Sequence, residues 1–428
     1  MGKIKEFITK ITRHSLALNS AIVFAGSMGA NIAGWLYHLF VGRILGTEGY
    51  GELAALLSLF YILNVPSGVI QTILVKFFSV LKATNEQGQA KRLIRIATTK
   101  VFLVGGIGML IVLVFSRGIA SFLHIESLWY VVWLYLIFAT FIVSIVNGSA
   151  IQGFQLFTAS SVLTTLGMTL RLVFGAGFAY LGVGWTLVSN IFSNSISFGL
   201  SFIPLRFMAG IREKPLTINR RQALGFSIPA FITTLGITLL FSQDVLLVKH
   251  YFTSHEAGIY ASLSVLGKVL FYATGAVSFV LFPVLSERKA SGRGHSRLVY
   301  SALFIIGSVC TVLTALYFVA PQLVLLAFGK AFYGATPYLG HFAIFMAFFS
   351  LSSILIQTLL ALDKVKVWII TSAGALLQVL LLILFHGSIS QVIGVNIVVS
   401  VGLFTSLLLY YMYGTAKTSS SLSHHSRL

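Results

Sequence analysis

The chain has 428 residues, of which 57% are hydrophobic and only 9% are charged. A soluble domain carries about 25% charged residues, so this composition excludes an ordinary soluble protein and indicates an integral membrane protein. The formal net charge of +19 does not indicate a nucleic-acid partner, because nearly all Lys and Arg residues lie in short polar breaks between apolar segments. The single cysteine, Cys310, lies inside an apolar run and allows no internal disulfide.

Twelve apolar segments approach or exceed the roughly 20 residues that a helix needs to cross a bilayer. The predicted spans are 17–42, 52–80, 96–116, 127–149, 157–181, 185–206, 224–250, 257–284, 298–320, 336–361, 366–386 and 390–413. The basic stretch 3–14 resembles the start of a signal peptide, but the run that follows is full-length and lacks a convincing cleavage site. We therefore expect a retained first span and an all-α integral membrane fold with twelve transmembrane helices.

The positions of the positive residues give this fold an orientation. Of the 29 Lys and Arg residues, 23 fall in or beside alternate breaks, four lie on the opposite side and two lie within spans. Positive residues concentrate on the cytoplasmic side of membrane proteins. We therefore predict a multi-pass protein of the cell membrane with both termini in the cytoplasm.

The polar segment Met208–Ala223 separates six spans from the following six. It predicts an N-terminal six-helix lobe at 1–212 and a C-terminal six-helix lobe at 213–414. The remaining segment, 415–428, is rich in serine, and we expect it to be a disordered cytoplasmic tail.

The two halves also echo one another in sequence. With an offset of 207 residues, Gly51 aligns with Gly258 and Ala54 aligns with Ala261. Because six spans is an even number, the two repeats should be parallel, related by an axis along the membrane normal.

Three segments carry a resemblance to a known family: GRILGTEGYGELA at 42–54, DVLLVKHYFTSHEAGIYA at 244–261 and LVLLAFGKAFYGATPYLGHFAIF at 323–345. With the six-plus-six layout, they resemble the polysaccharide-biosynthesis branch of the multidrug/oligosaccharidyl-lipid/polysaccharide (MOP) exporters, the Wzx-type flippases. The resemblance implies a V-shaped, MATE-like pair of lobes around a central cavity. It also implies translocation of a polyprenyl-diphosphate-linked oligosaccharide for surface polysaccharide biosynthesis, by alternating access.

Such a substrate requires cations for its diphosphate, and two deep cations are available. Arg171 and Lys268 lie near the middle of predicted spans, where a charge costs roughly 2.5 kcal/mol or more. Residues of this kind usually face a bundle interior and mark a pathway or a partner. We predict that both contact the diphosphate; the alternative for Arg171 is a structural pairing with a backbone carbonyl or with Asp244.

Asp244 is the acidic residue that the spans place deepest in the membrane. If transport is coupled to H⁺ or Na⁺ through a membrane carboxylate, Asp244 is the candidate. The alternative is a fixed ion pair with Lys268, Lys249 or Arg171.

The outer ends of the first and seventh spans each carry a further cation, Arg43 and Lys249. They are predicted to handle phosphate during release, unless they only face solvent or lipid headgroups. Polar residues on the same two spans could line a cavity and bind sugar hydroxyls, or could serve helix packing. These candidates are Asn31, Tyr37, Thr238 and Gln243.

Flipping makes no covalent bond, so we expect no catalytic residue, no metal and no cofactor. The expected partners are the lipid-linked oligosaccharide, the bilayer and polysaccharide polymerase or glycosyltransferase machinery. We expect the protein itself to be a monomer. A MATE-type, ion-coupled multidrug or metabolite exporter is the main alternative. A glycosyltransferase or polymerase is disfavoured by the short outer breaks, and a scaffold protein gives no reason for Arg171 and Lys268.

Overall fold

The computed structural model describes residues 2–125, 127–216, 221–290, 296–362, 364 and 366–425. Within these ranges, it describes no side chains for 2–21, 221–228, 230, 273–280, 282–283, 286–287, 289–290 and 414–425. The helices are α1 (Gly2–Leu63), α2 (Val65–Ala83), α3 (Gln87–Phe122), α4 (Leu128–Gly153), α5 (Phe157–Ala179), α6 (Val183–Leu200), α7 (Arg221–Tyr251), α8 (Ser254–Ala290), α9 (Ser296–Val319), α10 (Pro321–Leu325), α11 (Leu339–Ala361), α12 (Val367–Leu384) and α13 (Ile389–His425). Two 3₁₀ helices cover Arg206–Met208 and Lys330–Ala335.

All twelve predicted spans fall on helices within the described ranges. The long helix α1 contains the first span and the beginning of the second, and α2 contains the rest of the second. Nine helices in the described part of the chain are long and apolar enough to cross a membrane. The all-helical membrane fold is therefore confirmed.

Two backbone irregularities occur in this region, one between the first two predicted spans and one inside the second. Gly46, inside α1, has φ 69° and ψ −174°, a left-handed conformation that glycine adopts without a Cβ penalty. The second interruption lies between α1 and α2, where Pro66 occupies the first turn of α2. Proline is tolerated there because a first-turn residue needs no intrahelical N–H bond.

The start of α8 shows how local sequence determines a helix end. The Thr253 backbone N–H and hydroxyl both donate to Glu256 Oε2, at 3.1 and 2.8 Å, and the Glu256 N–H donates back to Thr253 Oγ1 at 3.3 Å. This reciprocal arrangement is a capping box. It explains why α8 begins at Ser254, slightly before the predicted start of the eighth span at residue 257.

The chain divides into two compact units. Unit 1 consists of Met1–Leu45 and Pro66–Ser227, and unit 2 consists of Gly46–Val65 and Ile228–Leu428. The predicted lobes, 1–212 and 213–414, differ from this division in two ways. The division after residue 227 comes later in the chain, and Gly46–Val65 packs with unit 2 because its contacts are with α8 and the segment before α11.

Unit 1 contains an apolar core at one end of its helices. Phe78 of α2 is fully buried there against Val146 and Ala150 of α4. The segment after α6 is held on this end by α3, since the Lys91 ammonium donates to the carbonyl oxygens of Ala209 and Ile211 at 2.7 and 2.9 Å. This connecting segment is therefore a fixed part of unit 1 as far as it is described in the structure.

Unit 2 is organised around α11, whose Phe342, Phe345 and Phe349 are buried. Two contacts show how the Gly46–Val65 segment packs within this unit. Tyr50 is fully buried, with ring centroids of Phe328 and Phe332 at 5.6 and 5.9 Å.

The second contact brings together two glycines that the sequence repeat aligns. A Cβ built on Gly51 would lie 2.6 Å from the Gly258 nitrogen, and one built on Gly258 would lie 1.8 Å from the Thr47 carbonyl oxygen. Thr47 Oγ1 also lies 2.8 Å from His255 Nδ1. Only residues without a side chain permit so close a crossing of two helices.

The last helix, α13, extends to His425 and therefore includes most of the tail for which the sequence predicts disorder. The backbone of that tail is helical in the described part, whereas residues 426–428 lie outside it.

Candidate functional site

The deep cation of unit 1 lies against an aromatic ring. Arg171, on α5, is partly buried, and its guanidinium carbon lies 4.4 Å from the centroid of the Tyr37 ring on α1. A cation over an aromatic face is stabilised by about 0.5 kcal/mol when exposed and about 2 kcal/mol when desolvated. The contact therefore offsets part of the cost of a charge in the membrane interior.

Tyr37 itself is fully buried, and its hydroxyl accepts a hydrogen bond from Asn190 Nδ2 of α6 at 3.3 Å. Asn190 is anchored in turn, because the same Nδ2 donates to the Thr186 carbonyl oxygen at 2.8 Å. The three helices α1, α5 and α6 thus meet at this group of side chains. Asn190 was not among the residues singled out from the sequence, although an amide in an apolar span is a visible signal.

Two other predicted residues of unit 1 lie on α1 and are exposed, namely Asn31 and Arg43. Arg43 precedes the Gly46 irregularity by three residues. Both remain candidates for contact with substrate or solvent.

The deep cation of unit 2 is Lys268, on α8, which also contacts aromatic rings. Its ammonium lies 4.3 Å from the centroid of Phe241 on α7 and 5.9 Å from that of Tyr61 on α1. Phe241 comes eight residues before Lys249, which corresponds to roughly 12 Å along α7. The two lysines of unit 2 therefore lie at different depths, and Lys249 is the one nearer the helix end.

Asp244 is almost completely buried in unit 2, and its carboxylate accepts hydrogen bonds from neutral side chains. Tyr260 Oη donates to Asp244 Oδ2 at 2.6 Å, and Asn396 Nδ2 donates to the same oxygen at 3.3 Å and to the Tyr260 hydroxyl at 2.8 Å. Among the ion pairs that join described residues within 4.0 Å, none includes Asp244. Hydrogen bonds thus satisfy this carboxylate, and the ammonium of Lys268 stabilises its charge electrostatically without forming one of these close ion pairs.

The network continues through two glutamines. Gln378 Nε2 donates to Asn396 Oδ1 at 2.7 Å, and Gln243 Nε2 donates to Gln378 Oε1 and, at 3.0 Å, to the Ala375 carbonyl oxygen. Gln243 is therefore engaged with protein groups on α12 and is nearly fully buried. Gln378 on α12 and Asn396 on α13 are not among the predicted site residues, because the predicted polar candidates lie on the first and seventh spans.

The remaining predicted residues of unit 2 are Lys249 and Thr238. Lys249 is buried, and its ammonium donates to Ser254 Oγ at 2.8 Å; the carboxylates of Glu52 and Glu48 stabilise its charge electrostatically. Thr238 is partly exposed. The cavity role predicted from sequence stays a prediction for Thr238 and Asn31, while Tyr37 and Gln243 are occupied by contacts within the protein.

The side chains around Arg171 in unit 1 and around Lys268 and Asp244 in unit 2 can bind charged ligands and ligands that form hydrogen bonds. Each unit holds a deep, partly buried cation against an aromatic ring, Arg171 in unit 1 and Lys268 in unit 2, and unit 2 also holds a hydrogen-bonded carboxylate. Within the described residues, no cluster of three or more His, Cys, Asp or Glu side chains is placed to bind a metal ion.

Solved structures show which fold this is. The chain is similar to a multidrug resistance MATE family transporter of the MOP superfamily in its inward-facing conformation, with TM-score 0.68 and 12% identity over 94% of this chain and 98% of that one. It is also similar to the lipid II flippase MurJ in an inward closed conformation, with TM-score 0.69 and 14% identity over 92% of this chain and 87% of that one. A eukaryotic MATE transporter, AtDTX14, gives TM-score 0.66 at 14% identity over 93% and 95% of the two chains. At these identities the likeness shows the fold.

No curated protein sequence matches the chain. The family model described as "Polysaccharide biosynthesis protein" matches residues 40–337, which is more than half of the chain. The protein is therefore a multi-pass membrane protein that belongs to the polysaccharide biosynthesis protein family, built on the fold of the MATE and MOP transporters.

Proposed function

We propose that this protein flips a polyprenyl-diphosphate-linked oligosaccharide across the cell membrane, from the cytoplasmic to the outer leaflet, by alternating access. Membership of a polysaccharide biosynthesis family supports this assignment. The fold supports it as well, because solved proteins with this fold include a lipid II flippase. Transport without bond formation requires only that the inward and outward states bind the substrate differently.

The observation that carries the proposal is the pair of deep cations. A charge within a span costs about 2.5 to 3.5 kcal/mol on insertion scales, and the aromatic rings beside both cations and the Asp244 carboxylate near Lys268 offset part of that cost. A cation retained at that cost is best explained by a ligand, and a diphosphate forms strong, charge-assisted hydrogen bonds with Arg and Lys. Arg171 and Lys268 are the residues we assign to the diphosphate.

The other predicted residues have supporting roles in this proposal. Arg43 and Lys249 would receive the phosphate at the end of the passage, and Asn31 and Thr238 would meet sugar hydroxyls. We further propose that the protein acts as a monomer with both termini in the cytoplasm, alongside polysaccharide polymerase or glycosyltransferase machinery.

The test is to replace the deep cations one at a time in a strain that depends on this protein for glycan export. We expect Arg171→Ala and Lys268→Ala each to lower export by at least tenfold, because each removes a charge-assisted contact worth about 1.5 to 3 kcal/mol. Export is measured as surface glycan, and the amount of inserted protein is measured in the membrane fraction.

Arg117→Ala is the matched control, since Arg117 is an exposed cation in α3 and has no assigned role. It should leave export unchanged. Normal export by the Arg171→Ala/Lys268→Ala double variant, at normal protein levels, would contradict the diphosphate assignment.

A second candidate function is an ion-coupled exporter of drugs or metabolites. Two observations favour it: several solved structures with this fold are multidrug transporters, and Asp244 is a buried carboxylate in unit 2. Coupling would require that carboxylate to bind and release an ion during transport.

Asp244→Asn separates the two functions. If coupling depends on the carboxylate, transport in proteoliposomes should stop responding to an imposed H⁺ or Na⁺ gradient, because the amide carries no charge. Unchanged, gradient-dependent transport by this variant would remove Asp244 from ion coupling and leave it as a structural group.

A further inference from the structure

Tyr37 fixes the position of Arg171 through contacts on more than one side. Its ring lies against α5 along the turn between Arg171 and Gly175, two positions four residues apart on one helix face. A Cβ built on Gly175 would lie 2.3 Å from Tyr37 Cε2, so the ring occupies the space that a side chain would take. Because Gly175 has no side chain, the Tyr37 ring can pack there, directly beneath the Arg171 guanidinium.

Asn190 holds the other end of the same ring. Its amide donates to the Tyr37 hydroxyl at 3.3 Å and to the Thr186 carbonyl at 2.8 Å, so the tyrosine is tied to the backbone of α6. Tyr37 and Asn190 are both buried. Neither side chain can change rotamer without displacing a packed neighbour.

An aromatic ring is a different kind of support from a carboxylate. A carboxylate would neutralise the guanidinium and occupy its N–H groups, whereas the ring contact uses none of these donors. Recognition of phosphate by arginine is often bidentate and depends on the orientation of the planar fork. The orientation set by Tyr37 therefore affects which phosphate groups Arg171 can bind with two hydrogen bonds.

We propose that Tyr37 and Asn190 are positioning residues that hold the Arg171 guanidinium in one orientation and thereby give the protein its preference for a diphosphate over a monophosphate carrier. This inference rests on the proposed function, because it assumes that Arg171 contacts the phosphate end of a lipid-linked substrate. Beyond that function, the inference states which lipid carrier is preferred, the diphosphate, and names Tyr37 and Asn190 as the residues that determine the preference.

The experiment measures the binding of two probes, farnesyl diphosphate and farnesyl monophosphate, to the purified full-length protein in nanodiscs. The wild-type protein should bind the diphosphate more tightly. Tyr37→Leu should reduce the ratio of the two affinities by about twofold or more, because the guanidinium loses the ring that fixes its orientation. Tyr37→Phe and Asn190→Ala should each reduce it by a smaller factor, because the ring remains while its anchor is lost.

The double variant Tyr37→Phe/Asn190→Ala tests whether the two residues act together. Both single changes remove the same hydrogen bond, so the double variant should be no more impaired than either single one. Additive losses of selectivity would overturn the proposed chain from Asn190 through Tyr37 to Arg171.

Asn147→Ala is the matched control. Asn147 is also a buried amide of unit 1, donating to Ser201 Oγ at 2.8 Å, but it is on α4. It should keep the wild-type selectivity even if it lowers thermal stability. Should Tyr37→Leu fail to fold, Tyr37→Phe and Asn190→Ala decide the question.

The results distinguish the two levels of the proposal. If the wild-type protein binds neither probe, the proposed function fails and the inference with it. If Arg171→Ala weakens diphosphate binding while the Tyr37 and Asn190 variants keep the wild-type ratio, the function stands and the positioning role is refuted.

Discussion

At the residue scale, one hydroxyl group links two members of the hydrogen-bond network around the buried carboxylate of unit 2. The Tyr260 hydroxyl donates to Asp244 and accepts from Asn396, so its loss leaves both side chains short of a partner in the interior. A buried group left unsatisfied costs about 1 to 3 kcal/mol, and a charged group costs more.

We therefore expect Tyr260→Phe to lower the stability of the protein by at least about 1 to 3 kcal/mol. The measurement is the thermal unfolding midpoint of the purified protein in detergent. Tyr413→Phe is the control, because the Tyr413 side chain is largely exposed. Equal unfolding midpoints for Tyr260→Phe and wild type would mean that the network contributes nothing to stability.

The site residues differ in how far sequence could predict them. Arg171 and Lys268 stand out because a charge in an apolar run is rare. In the structure both residues lie well away from the ends of their helices, α5 and α8. Their aromatic neighbours Tyr37 and Phe241 could not be predicted, since the ring that faces a cation depends on how helices pack. Gln378 and Asn396 could have been found, because amides in apolar spans are as unusual as charges.

At the scale of elements, the crossing of α8 with the Gly46–Leu63 part of α1 depends on glycine. The Thr47 carbonyl oxygen occupies the position where a side chain at residue 258 would begin. Backbone atoms cannot move aside as a flexible side chain can, so the two helices would have to separate.

We predict that Gly258→Ala destabilises unit 2 by about 1 to 3 kcal/mol or more, the usual range for overpacking, and reduces export. The unfolding midpoint and the surface glycan assay both measure this effect. Gly307→Ala on α9 is the matched control, because a Cβ there meets nothing within 4 Å. Alanine at that partly buried helix position, where a Cβ has open space, should be neutral or stabilising by about 0.5 to 1 kcal/mol.

An unfolding midpoint and export level for Gly258→Ala that match those of Gly307→Ala would show that the helices tolerate a wider separation. Sequence comparison between the two halves aligned Gly51 with Gly258, but it gave no sign that the two aligned residues touch. Periodicity and apolar length predict helices, whereas contact partners follow from the packing of the whole unit.

At the scale of the molecule, apolar length predicted twelve segments, and each of them coincides largely with helix in the structure. Such predictions succeed because a backbone inside hydrocarbon must satisfy its own hydrogen bonds, which leaves helices as the simplest solution. The boundaries between compact units obey no comparable rule. The predicted division at 212/213 followed the most polar segment, but part of that segment is bound to α3 and stays in unit 1.

The left-handed glycine at position 46 and the break before Pro66 bracket twenty residues that are encoded in the first half of the gene and packed in the second unit. Severing the polypeptide once, anywhere near its midpoint, would leave those residues on the wrong fragment. A chimaera that takes its first half from one relative and its second half from another would have the same problem. Its Gly46–Val65 segment would come from one protein and the α8 against which it packs from the other. Each compact unit is thus built from two separate stretches of the chain, so neither unit corresponds to one contiguous block of sequence.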